Sequence, residues 1–171
     1  QEPQAMEAIL GYRLDAKSQD ELLAFQRLVS GGTLLAARNA IQRQNIAVNL
    51  GGGLHHAARE RGSGFCVFND VALAISNVRE QGHDFPILVI DLDLHDGDGT
   101  RSIFAKDPTV HTFSIHNKDL GEVNAIASTS VALGTEVDDA TYLNALREHL
   151  PPVMAACQPG LVFYLAGSDP C

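Results

Sequence analysis

An apolar run that ends in a burst of carboxylate, imidazole and glycine constrains this chain more than any other feature. The run begins at Phe85, and the polar burst that follows it extends to Thr100. An unbroken series of Ile, Leu and Val is typical of a strand buried on both faces, as in the middle of a parallel sheet. Because side chains alternate along a strand, Asp91, Asp93 and His95 are predicted to point to the same side.

These three polar groups predict a metal site where the strand leaves the core. Gly97 and Gly99 allow a sharp turn there, and open α/β sheets bind ligands at the carboxyl ends of their strands. Asp and His supply the donors that a catalytic zinc prefers. An EF-hand calcium loop does not fit, because counted from Asp91 it needs Gly and Glu where this chain has Asp96 and Ser102. A purely structural cluster is the alternative, but buried charge is costly unless it is paired or metal-bound.

Helical and strand patterns alternate along the whole chain. Helices are predicted over residues 5–30 with a break near Gly11, from Thr33 to about Gln44 after Gly31-Gly32, from Asn69-Asp70 to about Glu80, as one turn over Thr100–Phe104, and from Asp138-Asp139 to Pro151-Pro152. Strands are predicted at 46–50, in the run after Phe85, at 110–116 and at 161–165, with a loop of about 20 residues after His116. This alternation predicts a three-layer α/β/α architecture with a mainly parallel sheet.

Composition narrows the class of protein. The net charge of −9 predicts no nucleic-acid partner, because phosphate contacts need clusters of Lys and Arg. No run approaches the about 18 apolar residues of a membrane span, so no membrane partner is predicted. Cys66, Cys157 and Cys171 fit neither a zinc knuckle nor a disulfide framework, which favours a reducing, cytoplasmic setting. The start at Gln1 and the stop just after an apolar strand predict one domain over residues 1–171, incomplete at both ends.

A second polar cluster consists of three glycines followed by paired histidines. Glycines at residues 51–53 let the backbone pass close to a ligand or to another segment. If the strands are parallel, His55 and His56 are predicted near the same sheet edge as Asp93 and His95. Imidazole is the usual general base near neutral pH, and a nearby carboxylate holds its tautomer. The pair therefore favours catalysis over surface decoration.

At these motifs the sequence resembles the histone deacetylase family, most of all its bacterial branch, which includes acetoin-utilisation-type proteins. The resemblance rests on Gly51-Gly52-Gly53-Leu54-His55-His56-Ala57, on Gly64-Phe65-Cys66-Val67-Phe68-Asn69-Asp70 and on Asp91-Leu92-Asp93-Leu94-His95-Asp96-Gly97-Asp98-Gly99. It implies the arginase/deacetylase α/β fold and a zinc-dependent hydrolase that uses a metal-activated water. The implied substrate is an N-acetylated amine, either acetyl-lysine in a protein or an acetylated polyamine.

The resemblance implies two cation sites at the strand end. Asp93 and His95 would be two of the three protein ligands of a single zinc ion. A potassium ion beneath the zinc would use Asp91, Asp93, His95 and oxygens near Ser114 and Ile115.

Catalytic roles follow from the same resemblance. His56 would be the general base, and His55 would help the amine to leave. Asp98 would orient His56, and Asp91 would orient His55. Gly64-Phe65 would line the narrow tunnel that takes the acetylated amine.

The chain departs from the family pattern at two places. Asp96 stands where many relatives have a second His, but that position is not a zinc ligand. The third zinc ligand of the family lies about five residues beyond Asp169, past the chain end, as does the group that stabilises the oxyanion. Asp169 is therefore predicted beside the site rather than on the zinc. We expect residues 1–171 alone to retain zinc weakly and to show little activity.

Two other functions compete with deacetylation. A manganese ureohydrolase on the same fold binds two metals through an Asp-x-His-x-Asp run, but this chain has Gly97 in place of the last Asp. A catalytically inactive member would bind acetylated ligands without turnover. The sequence makes no prediction about oligomeric state.

Overall fold

The computed structural model describes residues 3–122 and 124–169, and Pro170 and Cys171 lie outside the described residues. The helices are α1 Pro3–Leu10, α2 Ala16–Arg43, α3 Asp70–Glu80, α4 Asp98–Phe104 and α5 Asp139–Cys157. The strands are β1 Ile87–Asp91, β2 Val110–His116, β3 Ser128–Ala132 and β4 Leu161–Leu165. The chain divides into two compact units, Gln1–His83 and Asp84–Cys171. That it forms one domain stays a prediction.

The first unit is built on the packing of α3 against α2. Asp15 caps α2 by accepting a hydrogen bond from the Ser18 amide, and Asn69 caps α3 by accepting one from the Ala72 amide. The predicted extent of α3 is confirmed. Its buried side chains recur at the spacing of one helix face: Val71, Ala74, Ile75 and Val78.

The predicted helix break at Gly31-Gly32 is wrong, because α2 runs through both glycines without interruption. Gly32 is required for close approach instead. A Cβ there would lie 2.8 Å from Oδ1 of Asn49. Thr33 does not cap a helix, and its hydroxyl donates to Oδ2 of Asp70 at 2.5 Å. The helical segment is interrupted earlier, near Gly11 as predicted, and Gly11 has a φ of 75°.

The predicted strand at residues 46–50 is also wrong. The segment is irregular, and the side chains of Ile46, Val48 and Leu50 are exposed. A strand needs a neighbour for its backbone groups. Within residues 3–122 and 124–169, the sheet consists of the four strands β1, β2, β3 and β4, and this segment is not one of them.

The second unit contains a parallel four-stranded sheet with the order β3-β2-β1-β4. All five residues of β1 are buried, which confirms the strand predicted from the apolar run. The bounds predicted for β2 and β4 are also confirmed. Helix α5 covers the sheet through one core cluster: Leu88, Ile90, Phe113, Ile115, Ala145 and Val153. At the end of β1, Asp91 lies in register with Ser114 on β2 and Leu165 on β4.

Two predictions in this unit are wrong. Helix α5 continues through Pro151 and Pro152 to Cys157. Both prolines are exposed, as are Arg147 and Glu148 four residues earlier, so water can reach the carbonyls that lose an amide partner. The loop after β2 contains β3, whose Ser-Thr-Ser-Val-Ala sequence has too few apolar residues to give a strand signal. Among the described residues, none of the helices has the length and apolar character needed to cross a bilayer.

Candidate functional site

A buried carboxylate holds the backbone where the glycine–histidine loop of the first unit begins. Asp70, at the start of α3, has no exposed surface. Its Oδ1 accepts from the Leu54 amide at 2.7 Å, and its Oδ2 accepts from the Gly53 amide at 3.1 Å. A Cβ at Gly52 would lie 2.6 Å from the same Oδ2, so only glycine permits this approach. Asp70 thereby fixes the backbone that enters the paired histidines. The sequence places Asp70 at a helix start and at the end of the second family motif, but it gives no signal of this role.

The two histidines of this loop lie against each other. The rings of His55 and His56 have centroids 4.2 Å apart and planes inclined by 52°. His55 is 5% exposed, whereas His56 is half-buried. Asn69 donates from Nδ2 to the carbonyl of His55 at 3.4 Å. A Cβ at Gly64 would clash with the ring of His56, so the backbone of Gly64 passes directly beside it. The structure therefore brings the predicted His55, His56 and Gly64 together.

Phe65 has an unusual conformation for an aromatic residue. Its φ is 65°, and its side chain is 62% exposed. Non-glycine residues with positive φ are uncommon, and bulky ones are genuine outliers. Phe65 directly follows Gly64, so an exposed ring stands one residue from the backbone that lies against His56. This arrangement favours a ligand contact for Phe65 over a role in the core.

The strand end of the second unit collects the predicted metal ligands. Asp93 Oδ1 accepts from the His95 amide at 2.8 Å and lies 3.2 Å from Nδ1 of the same residue. Asp169 Oδ2 lies 3.1 Å from that Nδ1. One donor atom from each of Asp93, His95 and Asp169 falls within 4.8 Å of the others. Carboxylate and imidazole donors of this kind suit a divalent cation. Gly167 is required beside this group, because a Cβ there would clash with Asp93.

Asp91 lies one layer deeper than this group. It is 3% exposed, and its Oδ1 accepts from the Asp93 amide at 3.2 Å. A small cavity beside it is lined by Gly97, Thr100, Thr112 and Ser114 among others. Ser114 and Ile115 are both buried in β2, and the Ser114 hydroxyl lies 2.8 Å from Nδ1 of His116. The register that pairs Asp91 with Ser114 brings together two of the residues predicted for potassium.

Asp96, the residue that departs from the family pattern, forms a buried ion pair. It has no exposed surface, and Arg101 is 3% exposed. Arg101 donates to both carboxylate oxygens of Asp96, at 2.5 and 2.6 Å, in a bidentate pair. Burial opposes the charge of Arg101, but the hydrogen bond and charge of Asp96 outweigh it, so the pKa of Arg101 is raised. Opposite charges five residues apart around a helix start were a signal that sequence reasoning missed.

The same ion pair holds the loop after β2. Arg101 donates to the carbonyls of Leu120 at 2.8 Å and Glu122 at 3.0 Å, while the Leu120 amide donates to Asp96 at 2.8 Å. Gly121 lies between Leu120 and Glu122 in this loop, and a Cβ added to it would lie 3.9 Å from Oδ2 of Asp98. The loop is therefore fixed beside the predicted Asp98.

Asp119 ties this loop to the sheet as well. It accepts a hydrogen bond from Ser130 at 2.9 Å and lies 3.1 Å from Nε2 of His116. These hydrogen bonds, that of His116 first, lower the pKa of Asp119. Asp96, His116 and Asp119 could also offer one donor each to a metal ion. Arg101 occupies both oxygens of Asp96, however, which favours an ion pair there.

Comparison with known proteins gives a consistent result. Residues 4–171 match the family described as the histone deacetylase domain. An uncharacterized protein of Picosynechococcus sp. is 42% identical over 81% of this chain and 46% of its own length. Histone deacetylase 2 of Arabidopsis thaliana is 36% identical, over 88% of this chain and 40% of its own length. The acetoin utilization protein AcuC of Bacillus subtilis is 35% identical, over 83% of this chain and 40% of its own length.

A solved structure is similar too. The crystal structure of a histone deacetylase homologue from Aquifex aeolicus superposes with a TM-score of 0.74 at 28% identity, covering 81% of this chain and 41% of that one. The predicted α/β/α fold class is confirmed by this likeness and by the parallel sheet of the second unit. The chain spans less than half the length of each of these relatives.

Proposed function

Because the chain belongs to the histone deacetylase family, we propose that it carries part of the catalytic machinery of a hydrolase that removes acetyl groups from N-acetylated amines. The observation that carries this proposal is the group formed by Asp93 and His95 just beyond a buried parallel strand, with Asp169 beside it. Carboxyl ends of parallel strands are where α/β proteins bind ligands. The donor types in the group suit a hydrolytic metal ion.

We propose zinc as that ion, held by Asp93 and His95. When bound, zinc would act as a Lewis acid that polarises the acetyl carbonyl, and it would lower the pKa of the attacking water. The third ligand stays as predicted, a carboxylate farther along the family domain, while Asp169 contacts His95 from beside the site. With only two of the three ligands, residues 1–171 alone should hold zinc weakly and turn over slowly. Asp91, Ser114 and the backbone of Ile115 would hold potassium in the layer below.

The histidines of the first unit would handle the protons. The imidazole of His56 would take a proton from the attacking water as general base. His55, buried and in ring contact with His56, would help the departing amine to gain its proton. Asp98 and Asp91 would orient the two imidazoles, since a carboxylate partner fixes tautomer and ring direction. Family membership and the His55–His56 contact support these roles.

Gly64 and Phe65 would contact the substrate. An exposed aromatic ring beside the backbone that lies against His56 offers an apolar surface to the methylene chain of an acylated amine. Acetyl-lysine in a protein and an acetylated polyamine both have such a chain.

We also propose a reducing, cytoplasmic setting for the protein, which its cysteine content supports. The relatives from Picosynechococcus and Bacillus support the proposal that the chain belongs to the bacterial branch of the family.

A fluorogenic acetyl-lysine assay on the full polypeptide that contains this chain tests the proposal. Asp93→Ala and His56→Ala should each reduce kcat/KM by at least about 100-fold, the contribution expected of a metal ligand or a general base. The matched controls are Asp20→Ala on the exposed surface of α2 and His149→Ala in α5, which should retain full activity. Unchanged turnover in Asp93→Ala would contradict the proposal.

A further inference from the structure

Gln26, in the first half of α2, makes three hydrogen bonds to one distant segment, residues 65–68. Its side chain is 3% exposed. Nε2 donates to the carbonyl of Phe65 at 2.7 Å, and Oε1 accepts from the amides of Val67 at 2.8 Å and Phe68 at 3.4 Å. One buried amide thus serves both a carbonyl and two amides of the segment around Phe65. A buried side-chain amide whose donor and acceptor are both hydrogen-bonded holds its partners in a fixed geometry, because each lost hydrogen bond would leave a buried polar group unpaired.

The turn that Gln26 holds is strained at Phe65. Ser63 and Cys66 exchange backbone hydrogen bonds at 2.8 and 3.0 Å, which closes a tight turn around Gly64 and Phe65. Both central residues have positive φ, 50° for Gly64 and 65° for Phe65. That pattern is typical of a type I′ turn, whose central positions usually take Gly, Asn or Asp. An aromatic residue persists there only if its surroundings impose the conformation.

Burial of the Phe65 ring does not impose this conformation, because the ring is 62% exposed. The backbone around it is held instead by Gln26 and by the carbonyl of Ile9, which accepts from the Phe65 amide at 3.2 Å. Residues held in sparsely populated backbone conformations cluster at active sites and ligand clamps. The hydrogen bonds of Gln26 therefore set where the ring stands.

We propose that Gln26 is a positioning residue for substrate: its buried amide holds the 63–66 turn in the conformation that presents the ring of Phe65 to the methylene chain of the acylated amine. The inference rests on the proposed deacetylase function and adds a residue outside the three sequence motifs. Gln26 does not touch the substrate, since its side chain is buried. It acts through Phe65, one residue away from the backbone that lies against His56.

Steady-state kinetics of the full polypeptide on an acetyl-lysine peptide provide the first test. Gln26→Met keeps the length of the side chain but removes all three hydrogen bonds. It should raise KM by about tenfold and leave kcat within about twofold, because the metal and proton-transfer groups are untouched. Gln19→Met is the matched control, since Gln19 is another α2 glutamine that donates to a backbone carbonyl, that of Leu14 at 2.8 Å. It should leave KM unchanged.

A double-mutant cycle separates positioning from general stability. If Gln26 acts through Phe65, the double variant Gln26→Met/Phe65→Ala should have the KM of Phe65→Ala alone. Multiplication of the two effects, or a fall in kcat at unchanged KM, would overturn the inference. Gln26→Glu keeps the acceptor for Val67 and Phe68 but loses the donor to Phe65. It should give an intermediate KM, and it serves in place of Gln26→Met if that variant does not fold.

A readout without catalysis distinguishes failure of this inference from failure of the proposed function. Cys66 is 5% exposed, and its thiol donates to the carbonyl of Gly64 at 3.3 Å within the turn. Loosening the turn should raise its rate of iodoacetamide labelling by at least about tenfold relative to Cys157 in the same protein. Unchanged labelling in Gln26→Met would overturn the inference alone. If the parent polypeptide, without any substitution, has no deacetylase activity, both the proposed function and the substrate role of Gln26 are overturned.

Discussion

The histidine loop of the first unit and the acidic strand end of the second are held in place by different means. Around His55 and His56 the backbone is irregular, and one buried carboxylate, Asp70, holds it by accepting loop amides. Beyond Asp91 the backbone leaves a four-stranded sheet whose register already fixes its neighbours. A sheet constrains its residues through many repeated bonds, whereas the loop depends on a few side chains. We therefore expect single substitutions to disturb the local structure of the loop while leaving the sheet intact.

The largest expected loss of stability lies at the ion pair that fixes the loop after β2. Arg101→Met leaves the buried carboxylate of Asp96 uncompensated, which should cost about 3–5 kcal/mol of the free energy of unfolding. Urea denaturation measures this loss. Arg147→Met on the exposed side of α5 is the control and should stay within about 0.5 kcal/mol of the parent. A loss below about 1 kcal/mol in Arg101→Met would mean that the sheet alone holds this region.

Asp70→Ala should have the next largest effect, and in the histidine loop. It leaves the amides of Gly53 and Leu54 and the hydroxyl of Thr33 without their acceptor, which should cost about 2–3 kcal/mol. Hydrogen exchange resolves where the loss occurs. The Gly53 and Leu54 amides should lose their protection, while the strand amides of β1 should keep theirs. Equal loss in both units would contradict the contrast between loop and sheet.

A smaller effect is expected at Gly52, where close approach excludes a side chain. Gly52→Ala places a Cβ 2.6 Å from Oδ2 of Asp70 and 2.7 Å from Oγ1 of Thr33, which should cost about 1–3 kcal/mol through overpacking. Gly31→Ala is the matched control. It lies inside α2 with nothing within 4 Å of the added methyl group, and it should stabilise by about 0.5–1 kcal/mol. Thermal melting curves of the two variants should shift in opposite directions, and a shift in the same direction would contradict the packing account.

The smallest effect concerns the helix caps, where the two units use the same device. Hydrogen bonds from Ser18 lower the pKa of Asp15, and those from Thr141 lower the pKa of Asp138, below the ordinary value of 3.8. A lowered pKa stabilises the fold above the unfolded-state value, and that contribution disappears as the pH falls through the folded-state value. Asp138→Asn keeps a cap acceptor but cannot titrate. Urea denaturation at pH 5 and pH 3 should therefore show a smaller acid-induced loss in Asp138→Asn than in the parent, and identical losses would contradict this reading.

Sequence reasoning succeeded where a pattern is local. The bounds of β2 and β4, the buried β1 and the cap at Asn69 all follow from apolar periodicity or from one capping residue. It failed where tertiary contacts outweigh local preference. Gly32 lies inside α2, where its lack of a side chain leaves room for Asn49, and Pro151 is tolerated inside α5 because the carbonyls it leaves free are on the exposed side of the helix.

The candidate site divides in the same way. Asp93 and His95 could be paired from the family motif, and the structure brings them together. The alternation predicted for Asp91, Asp93 and His95 is wrong as the reason, because β1 ends at Asp91 and Asp93 and His95 lie in the bend that follows it. The roles of Asp70 and Gln26 could not be assigned from the sequence. Their partners lie 16 or more residues away, so these contacts exist only once the chain has folded. Arg101 differs, because its charge lies five residues from that of Asp96 around a helix start, which is a local signal.

The central claim is that the imidazole of His56 and the metal ligands Asp93 and His95 serve the same hydrolysis. A double-mutant cycle measures this most directly, as kcat/KM of the full polypeptide on an acetyl-lysine peptide for His56→Ala, Asp93→Ala and the double variant. Groups that act as a unit are strongly non-additive, so the double variant should be no slower than the slower single variant. Multiplication of the two losses, or full activity in either single variant, would contradict the claim.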